Sequence, residues 1–240
     1  MLFTFSKLLS CNSRILGKYL INDKTQNCMK LCCIAPEKLS TTTSCLDCSD
    51  EGTLKLIQDD FKIYNEFLSE EEEKSLVEEA EKHLKRLRYQ YDHWDDAIHG
   101  YRETEQKHWK EKNKIILQRV RELAFCPNTN HINQVHILDL EKTGYIKPHI
   151  DSVRFCGNTI AGLSLLSDCV MRLVHEDNPT SRLDALLKRR SLYVMTGMAR
   201  YKYTHEVLSE ENSIFKGLPV PRGRRISIVC RNEPNKEDIR

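Results

Sequence analysis

The segment GYIKPHID, residues 144–151, places the pair His149-x-Asp151 in a strand-like stretch. Side chains two residues apart on a β-strand project to the same face of the sheet. His149 and Asp151 therefore point together, whichever way the sheet faces. An imidazole and a carboxylate on one face can bind a divalent metal ion, although most isolated pairs of this kind are ordinary surface polarity. The pair by itself leaves both interpretations open, and a metal site would need a third ligand.

Further strand-like segments accompany this one from residue 134 onwards, each separated from the next by turn-forming residues. They are QVHILDL (134–140), TIAGLSLL (159–166), VMRLVHE (170–176), SLYVMTG (191–197), RYKYTHEVL (200–208) and RRISIVCR (224–231). A series of short strands divided by Gly, Pro, Asn and Asp predicts an all-β sandwich or barrel.

Two helices are predicted before the strands. FLSEEEEKSLVEEAEKHLKRL (67–87) offers Ser69 as an N-cap, followed by four glutamates where the helix dipole favours negative charge. A second apolar-periodic stretch covers about 105–124, and the segment between the two, 88–105, alternates like a strand with a turn at Gly100. Two helices followed by seven or eight strands indicate a mainly β fold with buttressing helices, either a β-barrel or a jelly roll.

The bulk composition is that of a globular protein. The chain has 240 residues, of which 40% are hydrophobic and 30% are charged, and its formal net charge is +2. No apolar run approaches the roughly 18 residues of a membrane helix, so we expect no membrane partner. The near-neutral charge argues against binding nucleic acid mainly by bulk electrostatics, although a local basic patch remains compatible with it.

The N-terminal residues have a different composition. Residues 1–22 contain Lys7, Arg14 and Lys18, no acidic residue, and apolar residues mostly in helical register. This is typical of a mitochondrial presequence, the alternative being an untargeted tail. Residues 23–52 are predicted to be a disordered leader or linker, 53–235 the folded domain and 236–240 a tail. Cys45 and Cys48 have the spacing of half a zinc site, but thiols in an unfolded leader are the simpler interpretation.

Two later segments bear on the metal hypothesis. His175 and His205 are candidate third ligands, and two imidazoles with one carboxylate would form a facial triad for iron(II). On the last strand, Arg225, Ser227, Val229 and Arg231 share one face. Guanidinium groups pair with carboxylates through two parallel hydrogen bonds, so this face suits a dicarboxylate such as 2-oxoglutarate. The alternative is a pair of exposed arginines on an edge strand.

The HxD pair, a distal histidine and the late Arg-x-Ser-x-x-x-Arg strand together resemble the AlkB family of iron(II)/2-oxoglutarate dioxygenases. That family's own late motif is Arg-x-Asn-x-Thr-x-Arg, so contacts from Ser227 and Val229 depart from its pattern. YQYDHWDDAIHGYRETE (89–105), GYIKPHIDSVRFCG (144–157) and PRGRRISIVCR (221–231) are most similar to a mitochondrial animal branch of the family. The resemblance covers about residues 55–233.

The resemblance implies a double-stranded β-helix core of the cupin-like jelly-roll type. It also implies three metal ligands, His149, Asp151 and His205, which would bind Fe(2+). Arg225 would bind the distal carboxylate of 2-oxoglutarate, and Arg231 would lie near its metal-chelating end or help to bind substrate. Tyr193 and His136 would be further co-substrate contacts, with ordinary packing as the alternative for both. O2 would be the second co-substrate.

The resemblance leaves the substrate open. The segment 86–125 corresponds to a reduced lid, in which Tyr89, Tyr91, His93, Trp94, Tyr101 and Arg102 would either stack on a base or simply pack. The basic clusters 188–190 and 222–225 would meet phosphate or water. Similar family members imply a mitochondrial matrix enzyme that hydroxylates or demethylates a matrix protein or mitochondrial tRNA, with roles in fatty-acid metabolism and programmed necrosis. We expect the enzyme to be a monomer. The competing hypotheses are an interaction protein with a vestigial iron site and a zinc hydrolase that uses the same ligands.

Overall fold

The computed structural model describes residues 41–91 and 97–234, all of which belong to one compact unit. Its helices are α1 (Glu51–Ile57), α2 (Glu70–Leu84), α3 (Glu111–Ala124) and α4 (Gly197–Tyr201). Its strands are β1 (Leu46–Cys48), β2 (Phe61–Tyr64), β3 (Ile98–Gln106), β4 (Val135–His149), β5 (Ile160–Leu165), β6 (Cys169–His175), β7 (Asn178–Leu187), β8 (Ser191–Met195), β9 (Tyr203–Val207), β10 (Ile214–Phe215), β11 (Leu218–Pro219) and β12 (Arg225–Arg231).

Ten of these strands form one antiparallel sheet. Its order is β1-β7-β6-β9-β4-β12-β5-β8-β2, with β3 added beside β4, while β10 and β11 form a separate hairpin. The 15-residue strand β4 is shared between the two halves of the sheet. Its first part pairs with β12 on one side and with β3 on the other. Beyond a register shift, Tyr145 and Ile146 pair with β3 again, and Ile146 and His149 pair with β9.

The sheet curls so that its two halves face each other. One core cluster contains Leu173 and Leu183 from one half together with Phe61 and Tyr193 from the other. We call the face that carries this cluster the inner face. The opposite face of β5, β8 and β12, which we call the outer face, packs against α2 and α3 through residues such as Leu163. The predicted mainly β jelly-roll fold with buttressing helices is confirmed.

The alternation on β12 separates these two environments. Ile226, Ile228 and Cys230 belong to the cluster that packs on the helices. Arg225 and the three residues that follow it at intervals of two lie on the inner face, as the sequence pattern predicts. Alternate side chains of β12 thus form two faces, an apolar face that packs on the helices and a functional face on the inner side of the sheet.

Helix α2 forms where the sequence predicts it. Ser69 and Glu72 make a capping box, in which Ser69 Oγ accepts from the Glu72 amide and the Glu72 carboxylate accepts from the Ser69 amide. The second predicted helix is correct only from Glu111 onwards, because residues 98–106 continue the sheet as β3. Trp109 is consequently buried just before the helix rather than within it.

The predicted domain boundary at residue 53 lies inside the fold and is corrected here. Residues 46–48 pair with β7, and Asp50 caps α1 by accepting from the Thr53 amide. Cys45 is buried in the core and Cys48 is half-buried, both as free thiols, so they are not thiols of an unfolded leader. A polar, cysteine-containing segment can form an edge strand because β7 supplies its hydrogen bonds. The predicted presequence, 1–22, and the tail, 236–240, lie outside the described residues.

Several elements were not anticipated from the sequence, among them β7 and α4. Strand β7 begins with a polar, exposed segment and becomes buried only towards Leu187, which hides its alternation. Helix α4 has five residues, too few to show a helical period. In the described residues, no helix is both long and apolar enough to span a membrane.

Candidate metal centre and co-substrate pocket

Two neighbouring antiparallel strands bring the histidines together. His149 ends β4 and lies directly opposite His205 of β9, and their ring centroids are 4.3 Å apart. Asp151 follows two residues after His149. The candidate ligand atoms of the three side chains all lie within 4.8 Å of one another. In the described part of the chain this is the one group of three or more His, Cys, Asp or Glu side chains arranged to hold a metal ion.

Hydrogen bonds orient the triad. The Nδ1 of His149 lies 2.9 Å from the Lys147 carbonyl, which can only accept, so this nitrogen carries the ring proton. The lone pair on Nε2 then faces Asp151 Oδ1 at 3.3 Å. His205 Nε2 lies 3.9 Å from the same oxygen. Two imidazole nitrogens and one carboxylate oxygen thus converge, which is the donor set of a non-haem iron(II) site with open positions.

The surroundings keep these groups in the protonation states that bind metal. Burial by itself would raise the pKa of Asp151, but the neighbouring His149 and the charge of Arg231 outweigh it and hold that pKa well below its usual value. Burial lowers the pKa of His205 to about 3, helped by His149, Arg231 and Arg200 and opposed by Asp151. An ionised carboxylate and a neutral imidazole are the forms required for coordination.

Arg231 lies against the triad. Its Nε and Nη2 are each 3.2 Å from Asp151 Oδ2, the oxygen that does not face the histidines. Two donors on one carboxylate oxygen fix the orientation of that group. The expectation that Arg231 lies near the metal end of the pocket therefore agrees with its position, and its contact in this structure is with Asp151.

Arg225 lies deeper on the inner face and is almost fully buried. Its Nε donates to Ser164 Oγ at 3.1 Å, and no carboxylate pairs with it in the described residues. The strand register places Ser227, Ser164 and Ser191 in one row across β12, β5 and β8. Ser191 Oγ is buried and has no hydrogen-bond partner in the described part of the chain. A buried cation beside an unsatisfied hydroxyl fits an incoming carboxylate.

The next row towards the triad contains Val229, Gly162 and Tyr193. A Cβ at position 162 would overlap the Tyr193 ring, so glycine lets this ring lie flat across β5. Burial raises the pKa of Tyr193 to about 12, although Arg225 and Arg231 oppose the shift. The phenol therefore stays protonated and can donate a hydrogen bond.

The remaining candidate residues differ in their positions. His136 lies opposite Val229 on the inner face, and its Nε2 is 2.8 Å from Glu103, so its role as a co-substrate contact stays a prediction. His175 ends β6, where its ring packs against Tyr203 and its Nδ1 accepts from the Asp177 amide. His175 is therefore not part of the triad.

The sequence pattern did not indicate Gly162, Ser164 and Ser191, which lie in apolar strands without any motif.

Much of the predicted lid is occupied by packing. Tyr101 is buried, Tyr89 donates to Asp139, and Arg102 bonds to the same carboxylate. Tyr91 is half exposed and packs edge-on against His99. His93 and Trp94 lie outside the described residues.

The basic clusters are also engaged in the fold. Arg189 pairs with Glu73, and Arg190 donates to the Leu68 carbonyl. Arg224 pairs with Asp139 and Glu81. Arg222 is buried and donates to the carbonyls of Gly144 and Leu208. These arginines hold elements of the protein together.

Sequence comparisons identify relatives. The family model of the 2OG-Fe(II) oxygenase superfamily matches residues 60–231. The mouse protein named alpha-ketoglutarate-dependent dioxygenase alkB homolog 7, mitochondrial, is 54% identical over 186 residues, which cover 78% of this chain and 84% of the relative. The bovine protein of the same name is 52% identical over the same shares. The resemblance to a mitochondrial animal branch of the AlkB family is thereby confirmed.

Solved structures agree on the fold. The structure of OsALKBH1 has a TM-score of 0.54 at 12% identity and covers 72% of this chain and 97% of its own. A prolyl hydroxylase from Trichoplax adhaerens, solved with a hypoxia inducible factor peptide fragment, has a TM-score of 0.53 at 11% identity and covers 80% of this chain and 90% of its own.

The protein is a dioxygenase that uses Fe(2+), 2-oxoglutarate and O2. The chain belongs to the 2OG-Fe(II) oxygenase superfamily and, within it, to the family of the mitochondrial alkB homolog 7 dioxygenases.

Proposed function

We propose that His149, Asp151 and His205 hold the iron, that Arg225 holds the distal carboxylate of 2-oxoglutarate, and that the enzyme oxidises a mitochondrial protein. One observation carries the proposal. Three ligand atoms within 4.8 Å of one another lie on the same inner face as a buried arginine that has no carboxylate partner in the described residues. The triad fits a metal and the arginine fits a carboxylate, which is the pair of groups that the reaction needs.

Each residue then has a physical task. Iron(II), when bound, supplies the redox chemistry that couples oxidative decarboxylation of 2-oxoglutarate to oxidation of the substrate. His149, Asp151 and His205 would supply three ligands to the metal, so that further positions would stay open for the co-substrates. Arg231 fixes Asp151 through its second oxygen, so that one carboxylate oxygen is left for the metal. Arg225, the serine row and the protonated Tyr193 offer hydrogen-bond donors to the co-substrate.

The test is visible absorption of the full-length protein under anaerobic conditions with iron(II) and 2-oxoglutarate. We expect a charge-transfer band in the wild type, no band in His149→Ala, and a band in Arg225→Ala only at higher 2-oxoglutarate concentration. Truncating one partner of a buried charge pair costs about 2–5 kcal/mol, which corresponds to a loss of roughly 30-fold or more in affinity. Lys142→Gln, which changes an exposed ion pair with Glu210, serves as the control. Absence of the band from the wild type would reject the site assignment.

Two observations favour a protein substrate over mitochondrial tRNA. Tyr89, Tyr101 and Arg102 are engaged in packing, which leaves them unsuited to stack on an extruded base. Arg189 and Arg224 are neutralised by carboxylates, which makes them poor phosphate contacts. The decisive comparison is succinate formation with a tryptic digest of matrix proteins against formation with mitochondrial tRNA. Stimulation by the tRNA alone would reverse the choice.

The location and the wider role rest on the relatives. Both mammalian relatives are named mitochondrial, and the acid-free start of this chain has presequence composition, which together support the matrix. Residues 1–22 would then be removed on import, and N-terminal sequencing of the protein from isolated mitochondria would show whether they are. A contribution to fatty-acid metabolism and programmed necrosis rests on resemblance alone. Palmitate oxidation and necrotic death, measured in cells that carry only the His149→Ala protein, would separate an enzymatic contribution from a vestigial iron site.

A further inference from the structure

Arg200 is a buried guanidinium that the proposed reaction leaves without a task. It lies on α4, five residues before His205, and is 1% exposed. No carboxylate pairs with it in the described residues, and its Nη1 is buried without a hydrogen-bond partner there. An unpaired buried charge has a high desolvation cost. The groups that surround the Arg200 guanidinium therefore indicate which part of the protein its charge stabilises.

Every hydrogen bond that the Arg200 side chain makes in the described residues goes to one short segment. Its Nε donates to the Gly157 carbonyl at 3.2 Å, and its Nη2 lies 3.3 Å from the Cys156 carbonyl and 3.1 Å from the Cys156 thiol sulfur. The segment 152–157, which we call the post-ligand loop, begins directly after Asp151. One planar group thus binds two successive carbonyls and a side chain of the same loop.

The loop connects this guanidinium to the triad. Cys156 Sγ lies 4.0 Å from Asp151 Oδ2, the oxygen that also contacts Arg231. The other anchor of the loop is the residue that follows β12, since the Gly157 amide donates to the Asn232 carbonyl. Asp151 is not in a strand, so its position depends on these anchors rather than on a ladder of hydrogen bonds.

Because of the position of Arg200 in the chain, this contact connects two segments that are distant in sequence. Its own amide bonds to Thr196 at the start of α4, and α4 leads directly into β9, which carries His205. The guanidinium therefore joins the segment that follows the first two candidate ligands to the segment that precedes the third. We propose that Arg200 is a positioning residue that sets the distance between Asp151 and His205 through the post-ligand loop. This inference rests on the proposed iron site.

A positioning role and a merely structural role predict opposite results for Arg200→Met. Methionine removes an unpaired buried charge and leaves two carbonyls without their donor, so these opposing effects nearly cancel in the stability of the apoprotein. Metal affinity, in contrast, should fall by about tenfold or more, as it does when groups that orient ligands are removed. A structural role would lower the melting temperature and leave the affinity unchanged.

The experiment titrates the full-length apoprotein with cobalt(II), which replaces iron without redox chemistry, and follows its visible absorption. Wild type, Arg200→Met, Arg200→Lys and the control Lys202→Met are compared, the last changing an exposed ion pair with Glu176 in the same segment. Thermal unfolding of each apoprotein is recorded alongside. Lysine keeps the charge but replaces the planar fork, whose Nε and Nη2 each bond a different carbonyl, with a single nitrogen. Arg200→Lys should therefore also lose about tenfold in affinity and show an altered cobalt spectrum. It also keeps the test decisive if Arg200→Met fails to fold.

The outcomes separate this inference from the proposal on which it depends. Wild-type protein that binds no cobalt would overturn the metal site itself. A wild type that binds, with Arg200→Lys binding within twofold of it and with the same spectrum, would overturn the positioning role and leave the metal site intact. Weaker binding by Arg200→Lys, with Lys202→Met unchanged, is the result that the geometry requires.

Discussion

The outer and inner faces of the curled sheet differ in whether their buried charges are paired with opposite charges. On the outer face, Asp139 is buried but accepts from Arg102, Arg224 and Tyr89, and Glu73 pairs with Arg189. On the inner face, Arg225 is buried without any carboxylate partner in the described residues, and the same holds for Arg200 of α4. Both faces bury charges, but the outer face neutralises them within the protein.

The difference teaches how to separate residues that stabilise from residues that bind. A buried charge with oppositely charged protein partners at hydrogen-bond distance has a complete environment, and its loss weakens the fold. A buried charge without such partners has an incomplete environment that a ligand can complete. Substitutions on the outer face should therefore change stability and spare the site, and substitutions on the inner face should do the opposite.

Asp139→Asn gives the largest expected effect on stability. It removes the charge that two guanidinium groups share, and breaking a buried ion pair by removing one partner costs about 3–5 kcal/mol. We expect the free energy of unfolding in urea to fall by about that amount. The band with iron(II) and 2-oxoglutarate should persist in the folded fraction, because Asp139 lies on the opposite face from the triad.

Lys142→Gln is the matched control for that prediction. It changes an ion pair in which both side chains are exposed, and such pairs contribute less than about 1 kcal/mol. If the two variants lost similar amounts of stability, the network around Asp139 would have no special weight and the comparison of the faces would fail.

Gly162→Ala should have an intermediate effect, and on both properties. The added methyl group overlaps the Tyr193 ring, and overpacking of this kind costs about 1–3 kcal/mol. Displacement of the ring should also weaken 2-oxoglutarate binding in the anaerobic titration. Tyr193→Leu frees the space, so the double variant should be more stable than the sum of the two single changes indicates. Strict additivity would show that residue 162 and the ring do not meet.

Ser69→Ala should give the smallest effect. It removes half of the capping box at the start of α2, and the loss of such a cap costs about 1 kcal/mol. Because α2 supports the outer face, cobalt and 2-oxoglutarate affinities should stay at wild-type values while the melting temperature falls by a few degrees. A change in either affinity would mean that the start of α2 affects the structure of the pocket.

Features that depend on short sequence patterns could be predicted from the sequence alone. A period of two placed Arg225 and Arg231 on one face of β12, and the cap at Ser69 located α2. The side chains of His149 and Asp151 do converge, but β4 ends at His149, so Asp151 reaches the site from the residues that follow the strand. The choice between His205 and His175 was not readable, because it depends on which strand lies beside β4. Ser191 and Arg200 were missed for a similar reason, since a small hydroxyl in an apolar strand and an arginine in a short helix acquire meaning only from tertiary neighbours.

The pairing of His149 with His205 across β4 and β9 has a consequence for the order in which the enzyme matures. These residues are far apart in the chain and meet only through a ladder of long-range contacts, which forms late in folding. A preformed site rarely exists in an unfolded chain, so we expect the polypeptide to fold first and acquire its metal afterwards. Stopped-flow refolding with cobalt(II) present from the start would show the metal band following the recovery of secondary structure. The metal that is then incorporated would depend on the supply in the compartment where folding finishes.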